Sequence, residues 1–478
     1  MKKLFCLLLT VLLVGLSACG GEAAPKETTA PPIPVVEGAP IAQLDDVSVY
    51  LQVTGEARAL PGLPDYVYSE GSSVTYKGAK EGRYGLKTHV FTATDAAAFI
   101  TYLNALEAEG WQQYSNNIIE GTNLFATYIK DGASLYCYYI SAKNSAYIVA
   151  SPDQNLEPRQ QDNVYEAVCQ PQLTQIKLLC QEYRGGMSYL IRLSDGRFLI
   201  LDGGYNENDY YHARQLYDLM AEQNVLPRIT VAAWIISHPH GDHLGTAADF
   251  LRYYNSSQVE LQQMIFNFPT DKDIAPIEQE TVSSTHPSYM PTFFLALETL
   301  WPDLKVTVCH TGQVYHFADA KLEFLHTIED FYPLSVASLS SNQVNGASAV
   351  FTMEIGGQKT MFLGDCAIDE SKALVKMWGG YLKSDILQAS HHCQRGGTVP
   401  LYEAIDPTVV LAPLPWENIE RRQILSFDAT RWLWENKSGN IKEIILSGWE
   451  QRTLVLPYTP APDTPYFPGA TSDPWAGL

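Results

Sequence analysis

Basic residues are scarce in this chain, and charge of either sign is modest. Among 478 residues, 32 Lys and Arg stand against 53 Asp and Glu, a formal net charge of −21, and charged residues make up only 18%. That fraction, beside 46% hydrophobic residues, excludes a largely disordered chain. The deficit of cations sets up a mean field that repels polyanions, and no dense basic run offsets it, so nucleic acid is a disfavoured partner. Past residue 20 no apolar run is long enough for a transmembrane helix. The 8 cysteines lack the spacings of a small disulfide scaffold, and there is no internal repeat. Neither a Gly-x-Ser-x-Gly elbow nor a P-loop is present, which leaves no serine nucleophile or phosphate-cradling loop to organise catalysis.

The amino terminus reads as a targeting segment. Lys2 and Lys3 form a positive start, Leu4 to Leu16 an apolar stretch too short to span a bilayer comfortably, and Leu16-Ser17-Ala18-Cys19 resembles a bacterial lipobox. Residues 1–19 are then a lipoprotein signal peptide, with lipid on Cys19 and the chain anchored to the cell membrane on its extracytoplasmic side. An ordinary secretory signal with an incidental cysteine is the alternative. Residues 20–44, with Pro25, Pro31, Pro32, Pro34 and Pro40, read as a flexible tether.

Residues 45–155 read as a small α+β domain. Asp95 caps a helix carrying Phe99, Ile100, Leu103, Leu106 and Ala108, ended by Gly110; a hairpin follows around Asp131-Gly132, then a third strand at Ala146 to Ala150. Tyr128, Tyr136, Tyr138 and Tyr139 are read as sheet packing in preference to a carbohydrate platform. A polar boundary leads to residues 165–456, where strands and helices alternate and apolar strands end in polar residues, the pattern of an α/β sheet presenting a site at its loops. Residues 457–478 are Pro-rich and irregular.

The chemistry is concentrated in Trp234-Ile235-Ile236-Ser237-His238-Pro239-His240-Gly241-Asp242-His243-Leu244-Gly245. An apolar strand ends there in a turn with three imidazoles and one carboxylate in six residues, although the whole chain has only 11 histidines. Imidazole and carboxylate are suited to a borderline cation such as Zn²⁺. His238 and His240, two apart on extended chain, can face one ion, and Asp242 and His243 a second.

This H-x-H-x-D-H run resembles the signature of the metallo-β-lactamase superfamily, and three further motifs arrive in that family's order. Leu199-Ile200-Leu201-Asp202-Gly203-Gly204 looks like the first, whose aspartate supports the metal-binding loop. Met361-Phe362-Leu363-Gly364-Asp365-Cys366 looks like the Gly-Asp motif whose carboxylate bridges two metals. Ile386-Leu387-Gln388-Ala389-Ser390-His391-His392-Cys393 resembles the final histidine motif of the competence-type DNA-uptake hydrolases, with Cys393 in place of glycine. The resemblance implies an αββα sandwich preceded by the small α+β domain, and His238, His240, Asp242, His243, Asp365 and His392 as ligands of zinc. Two ions are expected, with one ion, or Mn or Fe, as alternatives. Of the adjacent pair His392 is favoured as ligand and His391 as lining. The family's usual histidine between the second and third motifs is missing from its usual context; His326 is the best placed of His286, His310, His316 and His326, and Asn345 before Ser348 resembles the Asn-x-x-Ser region of the DNA-uptake branch. Cys366 and Cys393 are read as buried thiols, and Arg395, Arg421 and Arg422 as surface residues before substrate contacts.

The activity so implied is hydrolysis by a metal-activated water, with Asp242 also passing a proton to the leaving group, on a phosphodiester or other ester-like small molecule of the cell envelope or its surroundings. The rival is a binding or scaffold lipoprotein that keeps the fold without turnover. No obligate protein partner is inferred.

Overall fold

The strand Ala133–Ile140 is buried from Ser134 onward, although a sheet with one wet face would alternate. Its odd and even residues go to different cores. Leu135, Cys137 and Tyr139 pack with Phe99, Leu103 and Leu106 of the helix Ala96–Ala108. Tyr136, Tyr138 and Ile140 pack with Leu325, Ile328 and Trp378 of the larger part of the chain. The period of two thus serves two hydrophobic interfaces at once.

The computed structural model describes residues 53–178, 186–206, 208–274, 289–332, 334, 343–414, 426–436 and 439–467. The leader, the tether, Cys19, Cys180, His286, Arg421 and Arg422 lie outside them. The amino-terminal unit is a six-stranded antiparallel sheet, ordered Thr75–Glu81, Lys87–Thr92, Ser145–Ser151, Ala133–Ile140, Asn123–Lys130 and Gln112–Ile119. Its helix starts where the Asp95 side chain accepts the Ala98 N–H at 2.8 Å, satisfying one of the four free donors of a first turn. Asp131 and Gly132 both have positive φ, 49° and 86°, as a two-residue hairpin turn requires.

The rest is a four-layer α/β sandwich. One sheet runs Lys305–Val308, Gln263–Phe266, Ile229–Ile235, Phe198–Asp202, Ser188–Arg192, Gln172–Gln175, Arg452–Val455, with Val259–Leu261 beside Ile229–Ile235. The other runs Val314–Phe317, Ala320–His326, Val350–Ile355, Gln358–Phe362, Ile386–Gln388, Val409–Ala412, Glu443–Leu446. Leu199, Leu201, Ala233 and Ile235 of the first sheet meet Phe324, Phe351, Phe362 and Leu411 of the second between the layers. The helices Tyr211–Gln223, Gly241–Tyr253 and Tyr289–Leu300 cover the outer face of the first sheet. The helices Ile368–Trp378, Val399–Ile405 and Asp428–Glu435 cover the second, together with the six-stranded sheet. The fold is α/β, an αββα sandwich, with a small α+β unit ahead of it.

That unit is set into the sandwich's outer layer. Gly312 lies so close to the Phe125 ring that an added Cβ would fall 1.9 Å from it, and its φ of +88° disfavours a side chain in any case. Tyr136 donates to the Thr311 carbonyl at 2.6 Å, and Asn117 to the Gly312 carbonyl and the Glu323 carboxylate at 3.0 and 2.8 Å.

Parallel pairing in each sheet decides where chemistry can sit. Phe198–Asp202 runs parallel to Ile229–Ile235, and Gln358–Phe362 parallel to Ile386–Gln388. Asp202, His238, Asp365 and His392 therefore all emerge at or just beyond carboxyl ends of strands. The Ala349 N–H, donating to the Ser237 carbonyl at 2.8 Å, joins the sheets there.

Candidate metal centre

Asp202 closes its strand with φ +51°, an uncommon conformation to which Asp is better suited than most residues. Fully buried, its carboxylate accepts the Ser237 N–H at 2.7 Å and hydroxyl at 2.8 Å and the His243 Nδ1 proton at 2.7 Å. It fixes the turn without reaching the centre. The turn runs on into the helix Gly241–Tyr253, with His240 at its N-cap and Asp242 in its first turn.

Each buried imidazole is oriented by its Nδ1. His238 has the hydroxyls of Ser237 and Ser348 at 3.1 and 3.3 Å, His243 has Asp202, and His392 donates to the Pro413 carbonyl at 3.1 Å. With Nδ1 as donor, Nε2 carries the lone pair, the form a metal requires. The Nε2 atoms of His238, His243 and His392, with one oxygen each of Asp242 and Asp365, are buried without a hydrogen-bond partner.

These atoms converge from distant parts of the chain. Asp242, His243, Asp365 and His392 form one group in which ligand atoms lie within 4.8 Å of one another, and His238, His240 and Asp365 form a second. His243 Nε2 is 3.2 Å and His392 Nε2 3.5 Å from Asp365 Oδ1, while His238 Nε2 is 3.9 Å from Oδ2. His392 Nε2 is also 3.2 Å from Asp242 Oδ2. Metal–ligand bonds of about 2.0–2.2 Å put tetrahedral neighbours roughly 3.3–3.6 Å apart, so the spacing suits cation coordination. All six favoured ligands are brought together around Asp365, which both groups share, and imidazole with carboxylate is a donor set that fits zinc.

Electrostatics points the same way. Burial opposes charge on every member, yet the Asp365, Asp202 and Asp242 carboxylates hold His243 well above its ordinary value, and Asp365 and Asp242 push His392 up to about 10. Burial, with His243 and His240 beside it, keeps His238 well below. Against the cost of burial, His243 and His392 hold Asp365 and Asp242 below the usual carboxylate range. The carboxylates demand positive charge, which protons or cations supply.

The remaining candidates fall elsewhere. His326 is buried but belongs to neither group; its ring packs on Phe331 and its Nδ1 is 3.4 Å from the Ser348 carbonyl. His310 pairs with Glu329 at 2.8 Å, and His316 lies on the edge strand Val314–Phe317. His391 sits at the rim, 16% exposed and, like His326, outside both groups, with Nε2 3.7 Å from Asp365 Oδ2. Cys366 and Cys393 are buried thiols outside both groups, and Arg395 is exposed.

Three supporting residues were not among the expected site residues. Ser348 accepts the Asp365 N–H at 3.2 Å while facing His238. Gln388 Oε1 accepts the Leu363 and Gly364 N–H groups, both at 2.8 Å, and its Nε2 donates to the Gly364 and Ala389 carbonyls, locking the Gly-Asp loop to the His391-His392 turn. Ser237 bridges Asp202 and His238. A polar Gln in an otherwise apolar strand and the Asn-x-x-Ser resemblance at Ser348 were the signals of this in the sequence.

Two packed sheets present a cation-competent cluster at their strand ends. Residues 183–317 match the family model described as the Metallo-beta-lactamase superfamily. The match includes Asp202 and the H-x-H-x-D-H turn; Asp365 and His392 reach the centre from beyond it. No curated protein is similar enough to count as a match. Among solved structures, the metallo-β-lactamase fold protein YhfI from Bacillus subtilis is 15% identical, over 58% of this chain and 95% of that one, with a TM-score of 0.33. Zn²⁺-bound PqqB from Methylobacterium extorquens is 9% identical over 58% and 88%, TM-score 0.31. CmlA, a diiron β-hydroxylase from Streptomyces venezuelae, is 11% identical over 52% and 47%, TM-score 0.28.

Proposed function

We propose that this protein is a metal-dependent hydrolase that binds two zinc ions and cleaves a phosphodiester or other ester-like small molecule at the cell envelope, held by a lipid on Cys19. The observation that carries the reading is the set of buried, oriented and unpartnered Nε2 and carboxylate oxygen atoms around Asp365. Such atoms are costly to bury unless a ligand completes them. When bound, two cations supply an activated water and polarise the attacked oxygen.

The protein's own groups do the rest. Asp202, Ser237, Ser348 and Gln388 hold the ligands in place, so little reorganisation is needed on binding. Asp242, with 17% side-chain exposure against 1% for Asp365, is the carboxylate that could take the proton released by the attacking water and pass it to a leaving group. The net charge of −21 supports a small substrate over a long polyanion. The lipobox-like Leu16-Ser17-Ala18-Cys19 supports placement outside the cytoplasmic membrane; among the described residues, no helix is long and apolar enough to cross a membrane.

The test is metal content of the purified chain, followed by hydrolysis of bis-p-nitrophenyl phosphate and of a lactam panel with and without chelator. Two equivalents of zinc and chelator-sensitive phosphodiester cleavage are expected. Bound metal without turnover of any substrate would favour the scaffold reading, and no metal after reconstitution would remove both.

A further inference from the structure

Asp365 faces the two halves of the centre with different oxygens. His243 and His392 approach Oδ1 at 3.2 and 3.5 Å. His238 and His391 approach Oδ2 at 3.9 and 3.7 Å. The half built on His238 and His240 is the poorer one, with one carboxylate and two imidazoles against the two carboxylates and two imidazoles of the other. Among the described residues, no histidine between the H-x-H-x-D-H turn and Asp365 completes it: His310 is taken by Glu329, His316 is on an edge strand, and His326 packs on Phe331.

We infer that the adjacent histidines divide between the two ions: His392 serves the ion held by Asp242 and His243, and His391 supplies the third imidazole of the ion held by His238 and His240. This rests on the two-cation reading above.

The backbone is the independent argument. Neighbouring side chains on extended chain point to opposite sides, so one histidine of a pair would ordinarily face away. Here His391, His392 and Cys393 have φ of +48°, +50° and +58°, three successive non-glycine residues in a conformation that costs each roughly 1–2 kcal/mol. The turn brings both Nε2 atoms within 3.7 Å of an Asp365 oxygen. Strain of this kind persists where the surroundings over-determine it, and it gathers at functional sites.

Those surroundings are in place. The His391 N–H donates to the Gly364 carbonyl at 3.1 Å, and the Ser390 hydroxyl to the Cys366 carbonyl at 2.6 Å. Gly396 passes so close that an added Cβ would be 2.3 Å from the His391 Cβ. Asn345 Nδ2 stands 3.2 Å from His391 Nε2, a contact that a bound cation would displace.

The experiment is zinc titration of the full chain and of His391→Ala, by calorimetry and by metal analysis after dialysis, with circular dichroism of the metal-free proteins as a check on folding. Wild-type protein is expected to bind two equivalents. His391→Ala should keep one tight equivalent and weaken the other by at least ~100-fold, more than loss of an outer supporting partner costs. His391→Asp, which restores a ligating atom, should regain the second equivalent; Co²⁺ absorption should change at one of the two positions in His391→Ala and remain wild-type at the other. Fewer than two equivalents in wild type would overturn the inference, and none would overturn the hydrolase reading with it. Two equivalents of unchanged affinity in a folded His391→Ala would overturn the inference alone.

Discussion

Glu157 and Asp365 are carboxylates with exposures of 2% and 1%, and their surroundings are built on opposite plans. Glu157, where the six-stranded sheet meets the sandwich, is saturated by neutral donors. The hydroxyls of Ser115 and Thr127 reach Oε1 and the Gln313 amide reaches Oε2. Burial still raises its pKa despite those donors. Asp365 is ringed by imidazole Nε2 atoms at separations too long for good hydrogen bonds, and its Oδ1 has no hydrogen-bond partner. A polar group that holds structure is satisfied by the chain itself. One that holds a ligand keeps its valence for it.

Removing each carboxylate separates the two roles. Asp365→Ala should empty both metal positions and abolish chelator-sensitive hydrolysis, a loss well beyond the ~100-fold expected for an outer partner. Metal analysis and turnover measure it; an Asp365→Ala protein that kept both ions would contradict the shared-carboxylate geometry. Asp202→Ala comes next, because it acts on both roles. It leaves the buried Ser237 N–H without its acceptor and frees the His243 ring, and alanine tolerates φ +51° poorly. The expected cost is about 4 kcal/mol of stability with a ~10–100-fold loss in zinc affinity; unaltered affinity would show that Asp202 does not position His243.

Glu157→Ala should act on one role only. With three donors left facing a cavity, urea unfolding should report a loss of about 3 kcal/mol, while zinc stoichiometry stays at the wild-type value. A metal defect in a folded Glu157→Ala protein would mean that the interface and the centre are coupled, and the comparison would fail.

Much of the centre was legible because its residues are local or end strands. His238, His240, Asp242 and His243 occupy one turn, and the Asp202, Asp365 and His392 motifs stand in family order. The αββα layering was implied by the resemblance those motifs carry, whereas the short apolar strands ending in polar residues indicated only an α/β sheet with a site at its loops. Other features depend on tertiary contact. Tyr136 and Tyr138 read as ordinary strand residues, and only the assembled molecule shows them buried against Leu325 and Trp378. Ser348 and Gln388 act through hydrogen bonds to residues 17 to 110 positions away in sequence. The sequence favoured His392 as ligand and His391 as lining without a means of placing either ring; three successive left-handed residues bring both near Asp365.

Glu370 tests the comparison from between its two poles. It is fully buried, and Oε2 accepts the Ala367 N–H at 2.9 Å at the start of the helix Ile368–Trp378, but Oε1 has no hydrogen-bond partner. It belongs to no cation-competent group among the described residues. A proton rather than a metal is therefore its remedy: burial raises its pKa to about 7. Because the folded value lies above the unfolded one, the folded state binds the extra proton between them. The resulting stability is fully present below the unfolded pKa and is lost as pH rises through about 7. Glu370→Gln keeps an acceptor for Ala367 and removes the titration. In chelator, so that metal binding does not contribute, the stability difference between wild type and Glu370→Gln should shift by about 2 kcal/mol from pH 5.5 to pH 7, in favour of the variant at the higher pH. Urea midpoints at several pH values measure it. A constant difference would mean that Glu370 ionises without penalty, and an unpartnered buried oxygen would then no longer mark a position that demands a ligand.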